Sequence, residues 1–464
     1  MFDVIVIGGG PGGYVAAIRG AHLGGKVALV EGAKLGGTCL NVGCIPTKAL
    51  VHSAHTLNAV KDTARFGVVA GEPRLDLSLV MAHKDQTVKQ LVAGVEALVK
   101  RNGIQVYEGW AKVPSPGIVE VQGRDGSITT LESKSIILAT GSSPRSLPLS
   151  SESLSNTVSS DDALGFDEVP KNLVVIGGGV LGVEFACIWN AFGSRVDIIE
   201  LMPKILPVVD DEISRRLTSL LKRKGITVNL ETQVREIRQE GQEKVVLADT
   251  KYGKTKEFRA DKVLLAVGRE PNFGGIDLDA LGIRHHRRGI EVNDKMETSV
   301  PGIYAVGDVV GRTFLAHGAS AEGLVAMENI LGSPTSMDYS VVPSCVFSIP
   351  ECASVGITES AAREQGFDVV VSKFPFGANG RALSMGETEG FVKIVGDRAT
   401  GRILGMHILG PHADDLIHEG ALALKANLTA NQVADMIHAH PTLSEAVQEA
   451  FHGVLGKPLH LITR

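Results

Sequence analysis

Residues 3 to 7, Asp-Val-Ile-Val-Ile, form an unbroken apolar run, the pattern of a strand buried on both faces of a parallel sheet. Gly8, Gly10 and Gly13 follow, then a helix-like stretch from Tyr14 to Leu23, a strand from Lys26 to Val30, and Glu31. The same order returns further on. Asn172 to Ile176 lead into Gly177, Gly179 and Gly182, a helical run Val183 to Phe192, a strand Arg195 to Ile199, and Glu200. In both copies the acid stands 23 residues after the first glycine, and each copy has a later apolar strand running into glycine, Ile136 to Gly141 and Val263 to Gly268.

Helical patterns at 49–65 and 77–101 lie inside the first copy, and the Ser/Pro-rich stretch 141–161 connects it to the second. Residues 298–308 end a strand on Asp308, which either faces a ligand at the strand's C-terminal edge or caps the helix that follows. From Val341 the texture becomes strands (344–347, 369–374, 390–395, 403–408) with helices near 413–426 and 444–455, a separate α+β unit. The expected divisions are 1–145, 146–272, 273–341 and 342–464. The fold class is α/β, two Rossmann-like dinucleotide-binding domains followed by the α+β domain, and a chain of 464 residues is long enough for several cores.

Strand, G-x-G-x-x-G, helix, strand and acid together make a dinucleotide site. The glycines let backbone N–H groups approach a pyrophosphate at a helix N-terminus, and the acid accepts hydrogen bonds from a ribose. Two such sites call for two cofactors in series, a flavin and a nicotinamide.

The segment Gly36 to Lys48, Gly-Gly-Thr-Cys-Leu-Asn-Val-Gly-Cys-Ile-Pro-Thr-Lys, adds the chemistry. Cys39 and Cys44 are five residues apart, nearly one and a half helical turns at about 3.6 residues per turn. Irregular backbone helped by Gly36, Gly37 and Gly43 can bring them together as a short, reducible disulfide loop. A structural staple and two unrelated buried thiols are the competing readings. Cys187, Cys345 and Cys352 read as small buried hydrophobes. His440 precedes Pro441 outside the last helix and suits acid–base work, while Thr442 and Glu445 fit a capping box.

Five cysteines argue against a secreted disulfide framework. A net charge of −6 gives no reason to expect nucleic acid or an anionic membrane. No basic leader and no long apolar stretch is present, so the expected location is the cytoplasm, with the mitochondrial matrix standing beside it for a chain that has lost a transit peptide.

G-G-T-C-L-N-V-G-C-I-P-T-K, the two glycine fingerprints, Y-A-V-G-D at 304–308 and H-P-T-L-S-E at 440–445 together resemble the pyridine nucleotide–disulfide oxidoreductases over essentially the whole chain. Pro46-Thr47-Lys48 looks like the members that oxidise dihydrolipoyl groups with NAD, whereas glutathione reductases tend to carry a second lysine in place of Thr47. The resemblance implies that Gly8, Gly10, Gly13, Glu31, Lys48, Gly141 and Asp308 hold FAD, with Ala316 and His317 beneath the flavin's pyrimidine end. Gly177, Gly179, Gly182, Glu200 and Gly268 would hold NAD. Cys44 would be the thiol beside the flavin, Cys39 the one that exchanges with substrate, Lys48 the partner of Glu184, and His440 the acid–base group oriented by Glu445. No metal is implied. One departure is Gly318, where the family often has lysine.

The resemblance further implies a homodimer joined through the α+β domain, with His440 and Glu445 reaching the partner's cysteines. The dihydrolipoyl group would arrive on a lipoylated carrier domain or an acyltransferase core of a 2-oxo acid dehydrogenase complex, or on the glycine cleavage carrier. A disulfide reductase running in the opposite direction is the nearest alternative.

Overall fold

The computed structural model describes residues 1–461. Strand Phe2–Ile7 lies at the centre of a seven-stranded sheet, parallel to Val27–Glu31 on one side and to Ile128–Leu138 on the other. Its apolar run is continuous because both faces are covered. Val4 and Val6 pack with Ala16, Ala17 and Leu29, while Ile5 and Ile7 pack with Ile136, Leu138 and Ile303. The short strand Ile303–Ala305 pairs in parallel with Ile136–Leu138 and so adds the central segment to the first sheet.

The second copy forms a four-stranded parallel sheet in the order Ile226–Asn229, Arg195–Ile199, Asn172–Ile176, Lys262–Leu265. A three-stranded antiparallel sheet, Thr232–Glu240, Glu243–Thr250 and Thr255–Ala260, separates the last of these from the others in sequence. The two glycine loops are near-superimposable in their constraints. Gly8 and Gly177 have φ of 107° and 109°, and a Cβ on either would meet a backbone carbonyl oxygen of the partner strand, Ala139 at 2.2 Å and Ala266 at 2.4 Å. Only glycine fits that approach.

Both fingerprint helices begin earlier than expected, at Pro11 and Val180. Pro11 occupies the first helical position, where the missing N–H costs nothing and the fixed φ already suits the helix. Helix Pro11–His22 packs closely on helix Ala316–Leu331, since a Cβ at Gly323 would meet the Gly12 carbonyl oxygen at 2.4 Å. The long helix Leu77–Arg101 has the expected bounds.

The C-terminal unit is a five-stranded antiparallel sheet ordered Ser344–Val346, Glu351–Gly356, Ile403–Gly410, Phe391–Asp397, Val369–Pro375. Strand Glu351–Gly356 is an addition to the four expected ones; its small residues, Cys352, Ala353 and Ser354, weaken the alternation that marks a strand. Helix Ser444–Val454 turns Ala446, Val447, Ala450 and Phe451 into the core of this unit against Val369–Pro375 and Phe391–Asp397. Its apolar stripe is therefore used inside the chain.

Candidate active site

The redox segment folds as two helices, Gly37–Val42 and Cys44–Lys61, broken at Gly43. The second was expected from residue 49. It begins at Cys44 because Pro46 falls in its first turn, where proline is tolerated. A Cβ at Gly43 would lie 2.8 Å from the Thr38 carbonyl oxygen and 3.2 Å from Cys39 Cα, so the break can be this tight only with glycine. The same tightness turns Cys39 back onto Cys44. The segment is seated on the first glycine loop, with Gly37 close enough that its Cβ would meet Gly10 Cα at 2.7 Å.

The structure holds Cys39 and Cys44 as free thiols, each partly buried. Their environments separate them. The hydrogen bond from Cys39 is the largest influence on Cys44 and, with the Lys48 ammonium, brings its pKa down to about 7 against burial and the Glu184 charge. Cys39 moves the other way, first through its bond to Cys44 and then through burial. Cys44 also begins a helix of 18 residues, where unpaired N–H groups favour a thiolate.

Lys48 is one helical turn after Cys44, and its Nζ lies 3.0 and 3.2 Å from the carboxylate oxygens of Glu184, which is fully buried in helix Val180–Phe192. Glu184 also accepts from the Phe347 N–H at 3.0 Å. His440 and Glu445 stand together in the C-terminal unit, Nδ1 to Oε1 at 2.8 Å. Burial pushes the Glu445 carboxyl up, but the Thr442 N–H at 2.8 Å and His440 outweigh it and keep it below the ordinary value. An ionised carboxylate only accepts, so Nδ1 donates this hydrogen bond and Nε2 is not engaged by it. The His440 side chain is 79% exposed. The capping box expected of Thr442 is not formed: its hydroxyl donates to the Ala439 carbonyl at 2.7 Å, and helix Ser444–Val454 has no side-chain cap.

The dinucleotide sites pass a test of fit. Gly10 and Gly179 are the N-caps of their helices with no side-chain cap, a Cβ at Gly179 would have nothing within 4 Å, and at Gly10 the nearest atom is 3.9 Å away. Those helix ends are open cradles for a pyrophosphate. Gly13 and Gly182 are the close-packing positions, where a Cβ would meet the Gly8 oxygen at 1.8 Å and the Gly177 oxygen at 2.0 Å. Glu31 accepts from the Gly9 and Ala33 N–H groups at 2.7 Å each, and Glu200 from Gly178 at 2.5 Å and Met202 at 2.7 Å. Each carboxylate is thus aimed at its own glycine loop with lone pairs to spare for ribose hydroxyls.

Gly141 and Gly268, both at positive φ, border open space at the ends of the two partner strands. Asp308 lies in a short 3₁₀ turn and accepts from Ser142 Oγ at 2.5 Å, so it is not a cap. Ala316 and His317 open helix Ala316–Leu331, whose N-terminus has no side-chain cap, and His317 Nε2 is 2.8 Å from the Pro343 carbonyl oxygen.

Five supporting residues, Ser142, Arg269, Glu322, Tyr339 and Phe347, were missed by sequence reasoning. Arg269 donates to Ser142 Oγ and to its carbonyl oxygen at 2.7 Å each, which aligns Ser142 on Asp308. Buried Glu322 accepts from the Gly307 N–H at 2.6 Å and Tyr339 Oη at 2.7 Å, fixing the backbone beside Asp308. Phe347 is the last. Arg269 directly follows Gly268, but nothing in its neighbours marks it. Cys187 and Cys352 are buried as expected, with pKa values pushed up by burial to about 11 and about 12, whereas Cys345 is only half-buried. Among the described residues no cluster of three or more His, Cys, Asp or Glu could hold a metal, and no helix is long and apolar enough to cross a membrane.

Comparison with known proteins gives this geometry relatives. Residues 2–323 match the family described as pyridine nucleotide-disulphide oxidoreductase, and residues 342–451 match the dimerisation domain of the same family. The chain is 45% identical over 468 residues to dihydrolipoyl dehydrogenase of Thermus scotoductus, covering 100% of this chain and 99% of the relative. It is 44% identical over 466 residues to dihydrolipoyl dehydrogenase of Geobacillus stearothermophilus, covering 100% and 98%. Among solved structures, the Cu(II) complex of the HOCl-induced flavoprotein disulfide reductase RclA from Escherichia coli superimposes with a TM-score of 0.88 at 28% identity, covering 98% of this chain and 99% of that one. Matches of this length and identity, on a chain that carries the paired glycine loops and the cysteine helix in register, mean that the protein belongs to the pyridine nucleotide-disulphide oxidoreductases, among their dihydrolipoyl dehydrogenases.

Proposed function

We propose that the chain oxidises protein-bound dihydrolipoyl groups to lipoyl groups and reduces NAD to NADH, as the E3 component of a 2-oxo acid dehydrogenase complex or of the glycine cleavage system. The observation that carries this reading is the helix break at Gly43, which turns Cys39 back onto Cys44 at the start of the helix that also presents Lys48 to buried Glu184.

In the oxidised pair, attack by a substrate thiolate on Cys39 Sγ forms a mixed disulfide and expels Cys44 as a thiolate. The leaving sulfur should be the one of lower pKa, and here that is Cys44. Lys48 lies where it balances the new negative charge. His440 Nε2 takes the substrate proton, because only the thiolate attacks, and Glu445 holds the ring in the required tautomer. The second substrate thiol then attacks the substrate sulfur of the mixed disulfide. That closes the lipoyl ring and releases Cys39 as a thiolate, which takes up the proton given up by the second substrate thiol. Gly8, Gly10, Gly13, Glu31, Gly141 and Asp308, together with Ala316 and His317, would hold FAD, which would supply the ring system that joins thiol chemistry to hydride chemistry. Gly177, Gly179, Gly182, Glu200 and Gly268 hold the nicotinamide nucleotide, and Glu200 selects NAD by disfavouring a 2′-phosphate.

The matched dimerisation domain and the exposure of His440 support a homodimer in which each site takes His440 and Glu445 from the other chain. The likeness to dihydrolipoyl dehydrogenases supports a lipoylated carrier as partner, met in a cytoplasmic or matrix setting. A second reading, a disulfide reductase running in the opposite direction, draws on the likeness to the reductase named above. NAD-linked oxidation of dihydrolipoamide by purified protein, with reduced glutathione as the control, decides between them. Turnover of the dithiol with no turnover of glutathione is expected; reduction of another disulfide without dihydrolipoamide activity would overturn the proposal.

A further inference from the structure

Phe347 follows strand Ser344–Val346 of the C-terminal unit and touches the redox centre in two ways. Its backbone N–H donates to Glu184 Oε1 at 3.0 Å, and the centre of its ring lies 4.5 Å from Lys48 Nζ. One residue from a distant part of the chain therefore holds both members of the ion pair. Glu184 is rigid, being fully buried in its helix, but Lys48 is 31% exposed and sits on a four-carbon stem. A carboxylate alone leaves such an ammonium free to turn toward water. A ring face on its other flank removes that freedom, since the aromatic quadrupole attracts a cation as well as excluding solvent.

Lys48 shares a helix face with Cys44, four residues before it, so where the ammonium points decides how strongly it favours a thiolate at Cys44. We propose that Phe347 is a positioning residue of the redox centre, its ring and N–H together holding the Lys48–Glu184 pair so that the ammonium faces Cys44. The inference rests on the reading of Cys39 and Cys44 as the redox pair. It also makes the thiol chemistry depend on how the C-terminal unit docks, because the contact crosses from that unit to the cysteine helix. The competing explanation is space filling, for Phe347 also packs against the core that contains Phe185 and Trp189. Packing alone would accept a leucine.

The test uses reduced holoenzyme and reads the pH dependence of iodoacetamide alkylation at Cys44, followed by mass spectrometry of the Cys44 peptide. Wild type, Phe347→Leu and Phe347→Tyr are compared, with thermal melting as the check on folding. The wild-type midpoint should lie near neutrality, in line with the lowered Cys44 pKa of about 7. Phe347→Leu should move it up by about half a unit or more, slowing Cys44 alkylation at pH 6 roughly three-fold, and Phe347→Tyr should keep the wild-type profile. Phe347→Met repeats the leucine arm if leucine lowers the melting temperature. A wild-type midpoint at the ordinary thiol value would overturn the reading of the cysteine pair itself. An unshifted leucine variant against a normal wild type, or equal shifts with leucine and tyrosine, would overturn the role of Phe347 while leaving the pair intact.

Discussion

Lys48 Nζ sits 3.0 and 3.2 Å from the two carboxylate oxygens of a glutamate, Glu184, that is wholly buried and 136 residues away in sequence. The pair ties the cysteine helix to the helix of the second glycine loop. Its charges act on Cys44 with opposite sign, the ammonium lowering the thiol pKa and the carboxylate raising it. Glu184→Gln keeps an oxygen for Phe347 and for Lys48 but removes the negative charge. The Cys44 alkylation midpoint should therefore fall below the wild-type value, and the fold should lose about 1–3 kcal/mol because a buried charged partner has gone. A midpoint that rises instead would mean that the carboxylate matters chiefly by tethering Lys48.

The cysteines should fail in different ways. Cys39→Ser keeps Cys44 at the helix start beside Lys48, and its hydroxyl can still donate to Cys44, so the low-pKa thiol should survive while dihydrolipoamide turnover is lost. Cys44→Ser should lose both, because it removes the lowered thiol itself and the sulfur with which Cys39 would form the redox disulfide. Stopped-flow alkylation alongside a steady-state assay separates the two, and turnover by either variant contradicts the assignment.

Glu200 accepts hydrogen bonds from Gly178 and Met202 and ends its strand beside the second glycine loop. A fixed carboxylate there repels a phosphate ester, so kcat/KM with NAD should exceed that with NADP by at least about 100-fold, some 2.7 kcal/mol of discrimination. Glu200→Ser should narrow the gap by weakening NAD and relieving the repulsion of NADP. Equal efficiencies in the unsubstituted protein would rule the assignment out.

Complementation checks the sharing of His440 between chains. Inactive Cys39→Ser and His440→Ala chains, mixed after reversible dissociation, should form heterodimers with one working site, because one of the two sites pairs intact cysteines with an intact histidine. Verified heterodimers without activity would show that each chain supplies its own base.

A pH effect follows from Glu351, whose carboxyl is pushed up to about 8, first by burial and then by the Asp414 carboxyl beside it. The folded chain holds this proton more tightly than the unfolded one, whose glutamate has the ordinary value of 4.5. Its contribution to stability is thus complete below about pH 4.5 and is lost as the pH rises through about 8. Glu351→Gln, which needs no proton, should melt above wild type at pH 9, and the difference should shrink toward pH 5. Melting curves that keep a constant offset across that range would place the effect outside the titration of Glu351.

Much of the site was legible because its chemistry is written in short spacings. Gly8, Gly10 and Gly13 with Glu31, and Gly177, Gly179 and Gly182 with Glu200, lie within single βαβ units whose backbone geometry follows from local sequence. The same holds for Cys39 and Cys44, separated by one helix break at Gly43, and for His440 with Glu445 on either side of a helix start. In the last case the local rule was half right. Glu445 does take the Thr442 N–H, but the threonine hydroxyl turns to Ala439 because the chain before Ser444 already runs in a helical sense at Leu443.

The sequence by itself determined two dinucleotide folds, a closely spaced cysteine pair, a histidine set beside Glu445 and a final α+β unit, since each depends on apolar periodicity, on glycine at positions that tolerate no Cβ, or on residues a few positions apart. Tertiary structure alone decided what those parts touch. Arg269 and Ser142 aligning on Asp308, Glu322 holding Gly307, and Phe347 closing over Lys48 and Glu184 are contacts between residues 15 to 299 positions apart. No periodicity encodes such a contact, because it arises only when separately folded sheets and helices bury their faces against one another and the remaining polar groups must find partners.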